Sequence, residues 1–332
     1  MKALVTGASG FTGAHLVKAL RQQGHCVVGL VRQSSGLARL SDVLNAEGHG
    51  GLRRGTQCNL QLVYGDITDR DALRAAMIGV DTVFHTAAYV ELGLVDQGEM
   101  ERVNLAGTQA VLEVAQAVGI SKMIYCSTIG VFGDTGGKVV NETFERTQTD
   151  FSSAYDHTKY QAQQLVDRFA TNGLPVVSVL PSGILGPDDP HFRPVLQQFL
   201  KGRLKLWAGG DRITGIVHVD DLVVAMMLAA EKGKSGEYYI ISAGELTTNQ
   251  MFEILSQATG IPVPGEAPQS LVRLLGNLLD PIGRLFKWQP PLSRERVHYI
   301  YDRCVRVNAT KARQELGWNP RSVSATVRGM LS

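Results

Sequence analysis

Residues 2–13, Lys2-Ala3-Leu4-Val5-Thr6-Gly7-Ala8-Ser9-Gly10-Phe11-Thr12-Gly13, constrain the chain more than any other stretch. The apolar run Ala3 to Val5 suits a buried strand, three glycines follow at three-residue spacing, and Ala14 to Leu20 has the periodicity of an amphipathic helix. Strand, tight turn and helix start in immediate succession let backbone N–H groups and the positive end of a helix dipole meet an anion with no side chain in the way. The group this arrangement suits is the pyrophosphate of a dinucleotide. The plainer reading, glycines that only tighten a connection, has to be weighed against the rest of the chain.

The rest alternates. Gly24 suits a C-terminal cap, and His25 to Val31 reads as a second strand, ending at Arg32. A helix over Leu37 to Asn45 and loop chemistry across 49–55 precede a third strand, Leu60 to Tyr64. A short helix over Asp71 to Met77, a strand over Thr82 to His85 and one long helix over about Met100 to Val118 come next. They are followed by a strand over Lys122 to Cys126, a helix over about Ser153 to Asn172 and a strand over Pro175 to Leu180. Such alternation predicts an α/β chain, a Rossmann-type doubly wound parallel sheet covered on both faces. Beyond Pro181 the rhythm weakens: a helix over Val195 to Leu200, a strand over Ile216 to Val219, another over Glu237 to Ile241 and a helix over Thr247 to Thr259. The expected organisation is a dinucleotide-binding domain over 1–180, completed by about 215–241, and a smaller, mainly helical substrate lobe over 181–214 and 242–332.

With 332 residues and 44% apolar composition the chain can fill such a core, and 33 basic against 31 acidic residues give no electrostatic case for a nucleic-acid partner. Cys26, Cys58, Cys126 and Cys304 are scattered and predict reduced thiols. A strand beginning at residue 3 and the lack of an 18-residue apolar run predict a soluble cytoplasmic protein. The eight histidines show no metal-ligand spacing, so no metal is expected; His85 and His157 read as structural.

Six motifs, in order, resemble the extended short-chain dehydrogenase/reductase superfamily, the NAD-dependent epimerase/dehydratase family, over essentially the whole chain. They are Thr6 to Gly13, Gly65-Asp66-Ile67, His85-Thr86-Ala87-Ala88, Asn104-Leu105-Ala106-Gly107-Thr108, Tyr155-Asp156-His157-Thr158-Lys159 and Val217-His218-Val219-Asp220-Asp221. The resemblance implies that Gly7, Ser9, Gly10, Phe11, Thr12 and Gly13 hold the cofactor phosphates. It also implies that Asp66 and Ile67 hold the adenine, that Ala87 and Ala88 line the cofactor, that Lys159 holds the nicotinamide ribose, and that Pro181 to Ile184 lie against the nicotinamide. Members preferring NAD end the second strand in an acidic residue; here Val31 and Arg32 stand there, which favours NADP(H), its 2′-phosphate gripped by Arg32 with help from Arg53 or Arg54.

Tyr155 and Lys159 lie four apart, on one face of the predicted helix. An ammonium beside a phenol whose ordinary pKa is about 10 lowers it and makes Tyr155 a general acid or base. By resemblance the third member is a hydroxyl after the fifth strand: Thr128 by its distance from Gly133, with Ser127 in reserve. Asn104 reads equally as a proton-relay residue and as a buried polar anchor.

Ile129-Gly130 after Thr128 replaces the Asp-Glu pair of dehydratases, and Leu180-Pro181-Ser182-Gly183 and Ile213-Thr214-Gly215 lack the arginines that hold a nucleotide-sugar diphosphate. The closest resemblance is then to the dihydroflavonol 4-reductase-like and 3β-hydroxysteroid dehydrogenase-like branch. That implies NADPH-dependent reduction of an apolar ketone or aldehyde in a pocket including Val90 and Phe132. A nucleotide-sugar epimerase and a non-catalytic NADP sensor are the alternatives. The resemblance also allows a homodimer through the helices carrying Asn104 and Tyr155. Leu271 to Trp288 reads as a lid or pocket wall in preference to a membrane-surface helix.

Overall fold

The computed structural model describes residues 1–48 and 60–331. Seven strands, β1 (Lys2–Thr6), β2 (Cys26–Val31), β3 (Leu60–Tyr64), β4 (Thr82–His85), β5 (Lys122–Cys126), β6 (Val176–Pro181) and β7 (Tyr238–Ile241), form one sheet in the order β7-β6-β5-β4-β1-β2-β3. Every adjacent pair is parallel. The apolar runs explain it: Ala3, Leu4, Val5, Val177, Val179 and Leu180 are wholly buried, as strands covered on both faces must be. Leu16, Val17 and Leu20 of α1 (Phe11–Gln22), with Val223 and Met226 of the Val219–Lys232 helix, fill the core on one face. Val111, Leu112 and Ala115 of α2 (Thr108–Val118) and Ala162 and Val166 of α3 (Ala154–Thr171) fill the other. This is the Rossmann-type doubly wound architecture, and its strand order reverses between β1 and β4, where the carboxyl ends of the two strands open a crevice.

Beside it a second, mixed sheet joins Gly183–Leu185 to Ile213–His218 in parallel and Ile213–His218 to Gly244–Thr247 in antiparallel sense. A third core, built on Phe199, Phe252, Leu255 and Val327, lies under it. Two further helices, α4 (Gln269–Phe286) and α5 (Arg294–Tyr301), complete this region.

Two expectations change. The single helix over Met100 to Val118 is three pieces: Gln97–Glu101, a π-helical turn over Arg102–Gly107, and α2. Thr108 donates its hydroxyl to the Asn104 carbonyl at 2.7 Å within that turn, and Gly107 packs so tightly on Ile67 that a Cβ would stand 2.5 Å from its Cγ2. The scattered cysteines are not all reduced thiols: Cys26 is disulfide-bonded, Cys126 and Cys304 are free, and Cys58 lies outside the described residues. Distance along the chain does not report proximity in space.

Candidate active site

The glycine turn crosses the mouth of the crevice. Gly7 has φ +69°, and a Cβ there would stand 2.8 Å from Ala87 Cα, so the turn after β1 lies directly on the turn after β4. A Cβ on Gly13 would stand 2.1 Å from the Gly7 carbonyl oxygen, so only glycine lets α1 approach its own turn this closely. Asp69, Ser153 and Thr247 cap other helices with their side chains, whereas α1 begins at Gly10 with no side-chain cap. The donors of its first turn, around Ser9, Phe11 and Thr12, are left for an anion, and this cradle fits a pyrophosphate.

At the outer edge Arg32 is exposed at the end of β2 and pairs with no acid among the described residues, while Arg53 and Arg54 lie outside them. Asp66 is engaged differently from the expectation. Its carboxylate takes two bonds from Arg102, at 2.7 and 3.2 Å, and one each from the Thr68 N–H and hydroxyl. Arg102, in the π turn, also grips Glu99, and its guanidinium holds Asp66 far below the ordinary carboxylate range. Ile67 is buried against Gly107, leaving its backbone as the part that could face a ligand.

Under the turn runs a buried chain of hydrogen bonds. His85 Nδ1 lies 2.8 Å from Thr6 Oγ1 and Nε2 3.0 Å from Thr108 Oγ1. Thr108 spends its proton on the Asn104 carbonyl, so it accepts from His85, which fixes the Nε2–H tautomer. Thr6 in turn accepts from the Ala87 N–H at 3.3 Å. Burial holds His85 neutral, its pKa lowered to about 3, with Lys159 adding a smaller push the same way. Between pH 6.5 and about 3 the unfolded chain takes up a proton that the folded one refuses, so stability falls as pH drops through that window. Relative to His85→Gln, the wild type is expected to lose an extra ~1.4 kcal/mol per pH unit there, measured by urea unfolding at several pH values.

Asn104 acts as an anchor. Its Oδ1 accepts from the Tyr89 N–H at 2.7 Å, and its Nδ2 donates to the Tyr89 carbonyl and to Thr158 Oγ1, each at 3.0 Å. It ties the turn after β4 to α3, one residue before Lys159.

On α3, Tyr155 is half-buried and Lys159 is 3% exposed. Lys159 Nζ donates to the Cys126 carbonyl at 2.8 Å and sits 4.4 Å above the Tyr125 ring. Burial lowers its pKa to about 8. The expected depression of the Tyr155 pKa is reversed: burial raises it well above the ordinary phenol value, and Cys126 and Asp156 add to the rise. The Lys159 ammonium, for its part, is spent on the Cys126 carbonyl of β5. Tyr155 is thus held as a neutral phenol, and no described group hydrogen-bonds its hydroxyl.

Thr128 and Ser127 separate clearly. Thr128 is half-buried and caps the short turn Ile129–Phe132 by accepting from the Gly130 N–H at 3.1 Å, which leaves its hydroxyl proton free to donate. Ser127 is 3% exposed and its Oγ has no partner among the described residues. Pro181 closes β6 and is buried, Ile184 and Ala88 are half-buried, and Val90 is exposed. Phe132, expected in the pocket, is buried edge-on against Phe144 in the sheet core.

Sequence reasoning missed what holds this site from above. Arg303 donates to the Asp156 carboxylate at 2.9 and 3.3 Å, and both side chains are almost wholly buried next to Tyr155. A Cβ on Gly130 would stand 2.2 Å from that carboxylate, so the turn after Thr128 must be glycine there. Glu295 of α5 accepts from the Gly93 N–H at 2.7 Å and the Ala154 N–H at 3.3 Å, bridging the loop after β4 to the start of α3. Gln289 grips the same loop through the Leu92 carbonyl and the Leu94 N–H. No local pattern marks these residues, because their partners are far away in sequence.

The motifs, the sheet order and this cradle agree with the comparisons. The model of the NAD dependent epimerase/dehydratase family matches residues 3–242. The chain is 31% identical to sterol demethylase protein B of Methylococcus capsulatus, over 98% of this chain and 95% of that protein. It is 33% identical to a 4-hydroxy-2-methyl-3-oxo-4-farnesyl-3,4-dihydroquinoline-1-oxide ketoreductase of Stigmatella aurantiaca, over 97% of this chain and 92% of the other. The solved structure of gox2253 superposes with a TM-score of 0.80 at 30% identity, covering 99% of this chain and 96% of that one. The chain therefore belongs to the NAD dependent epimerase/dehydratase family, among the extended short-chain dehydrogenases/reductases, and is an enzyme of that family.

Proposed function

We propose that this enzyme reduces an apolar ketone or aldehyde with NADPH, Tyr155 serving as general acid. The observation that carries the proposal is the placement of Tyr155, a phenol whose hydroxyl has no hydrogen-bond partner among the described residues, one helical turn before the buried Lys159. A neutral phenol is the protonation state a reduction needs, since the carbonyl oxygen must receive a proton as it becomes an alkoxide. Bound NADPH supplies the hydride. The free Thr128 hydroxyl proton is available to steady the substrate oxygen, and Asn104 and the Arg303–Asp156 pair hold α3 in place. Support for an apolar substrate comes from Leu180-Pro181-Ser182-Gly183 and Ile213-Thr214-Gly215, which offer no cation to a diphosphate, and from relatives named for a sterol and for a farnesylated ketone.

The test follows cofactor oxidation with steroid-like ketones, flavonoid-like ketones, small aldehydes and UDP-sugars. Turnover of an apolar ketone with NADPH supports the reading; turnover confined to a UDP-sugar, with the cofactor retained, replaces it with an epimerase. Exposed Arg32, which pairs with no acid among the described residues, supports the cofactor choice. Arg32→Asp is expected to cut the NADPH over NADH preference in kcat/KM roughly 10- to 100-fold, the weight of a lost charge-assisted grip on a phosphate. Equal use of both cofactors by the wild type refutes that role.

A further inference from the structure

Helix α4 is turned inside out. Its buried stripe is Val272, Gly276, Asp280 and Gly283, whereas Leu271, Leu274, Leu275, Leu278, Ile282, Leu285 and Phe286 are exposed, Leu285 and Phe286 at 77% and 72%. Their spacing, 271, 274, 275, 278, 282, 285 and 286, places them on one arc of about 120° along the whole helix. The glycines explain how the helix is seated. A Cβ on Gly276 would stand 2.6 Å from Val297 of α5, and one on Gly283 2.8 Å from Leu94. The helix thus rides on the element that clamps the active-site loops and keeps its large side chains outward. Such an apolar face on a monomer marks a contact site.

The charges beside it select the occupant. Residues 267–288 hold Arg273, Arg284 and Lys287 against one acid, Asp280, which is buried under Arg284, while Arg273 is paired with Asp302 just past α5. Arg284 is 68% exposed, Lys287 is exposed and pairs with no acid among the described residues, and Phe286 and Trp288 stand beside them. A leucine-rich arc, with Arg284 and Lys287 outside it and exposed aromatic side chains at the same end of the helix, has the features of a helix lying in a lipid interface. A parallel pairing with a second copy would bring the Arg284 and Lys287 ends of the two helices together. No described helix is long and apolar enough to cross a membrane.

We infer that α4 is a membrane-surface helix, its outer face seated in the interface of a bilayer carrying anionic headgroups, with the active site held above it. This departs from the lid or pocket wall favoured by the sequence, because the apolar face points away from the site-clamping helix instead of toward it.

The inference is tested by sedimentation with vesicles of phosphatidylcholine alone and of equal parts phosphatidylcholine and phosphatidylglycerol, a readout that does not depend on the reaction. The wild type is expected to pellet with the anionic vesicles, less so at high salt, with a blue shift of tryptophan emission that Trp288→Phe removes. Leu285→Glu/Phe286→Glu, both at exposed positions, is expected to keep the wild-type Tm and lower the partition coefficient about tenfold or more. Arg284→Glu/Lys287→Glu is expected to abolish the preference for anionic vesicles. A wild type that stays in the supernatant with both vesicles overturns the inference. So does a dimer in light scattering that the Leu285→Glu/Phe286→Glu variant splits, since the face would then belong to a second copy.

Discussion

Tyr155→Phe is expected to lower kcat/KM for carbonyl reduction about a thousandfold, the usual weight of a positioned general acid, while NADPH affinity and Tm stay at wild-type values. The stability half of this expectation follows from the structure. The Tyr155 hydroxyl makes no hydrogen bond with a described group, so removing it orphans no partner, and the ring keeps its packing. Most buried tyrosines are different, since losing the hydroxyl there strands an acceptor. NADPH-dependent turnover measured beside thermal unfolding and cofactor titration separates the outcomes. Undiminished turnover removes Tyr155 from the chemistry, and a fall in Tm of several degrees shows that the hydroxyl has a structural partner.

Arg303→Leu is expected to destabilise the fold by about 3–5 kcal/mol, because it leaves the Asp156 carboxylate charged, buried and without its cation. The accompanying pH dependence is diagnostic. Burial already pushes the Asp156 pKa up, and Arg303 is the chief influence opposing that push. Without Arg303 the folded-state pKa rises further above the unfolded value, so the folded form binds more protons and the variant regains stability as pH falls. Asp156→Leu/Arg303→Leu should recover most of the loss, since a buried pair replaced as a pair costs little. Urea unfolding of the two variants at neutral and mildly acidic pH checks both points; a loss within 1 kcal/mol, flat with pH, would show that the carboxylate finds other partners.

The sheet was legible because each strand carries a short apolar run bounded by glycine or polar residues, and up to β6 the strands alternate with helical segments. The Ile213–His218 strand was read as Ile216 to Val219, starting three residues late because Thr214 and Gly215 dilute its apolar signal and ending one residue late. Periodicity also could not reveal the π turn at Arg102–Gly107, where every residue still suits a helix and the deviation is set by tertiary contacts of Asn104, Gly107 and Thr108. For the site, motif order located Thr128, Tyr155 and Lys159, but not the direction in which Lys159 points or the degree of burial around Tyr155. That burial reverses the pKa inferred from helix spacing alone. The Arg303–Asp156 pair spans 147 residues and leaves no local trace.

The order of strands has a consequence for biosynthesis. β6 is sandwiched between β5 and β7, yet β7 is synthesised only after the Gly183–Leu185 and Ile213–His218 strands have been laid into the neighbouring sheet. Until residue 241 leaves the ribosome, Val177, Val179 and Leu180 border an open strand edge of the kind that pairs with other chains. A fragment cut after residue 180 would carry the glycine turn, Thr128, Tyr155 and Lys159 and still end on that edge. The seven-stranded sheet is therefore not completed within residues 1–180: its edge is closed only by a strand that follows a detour through the second sheet.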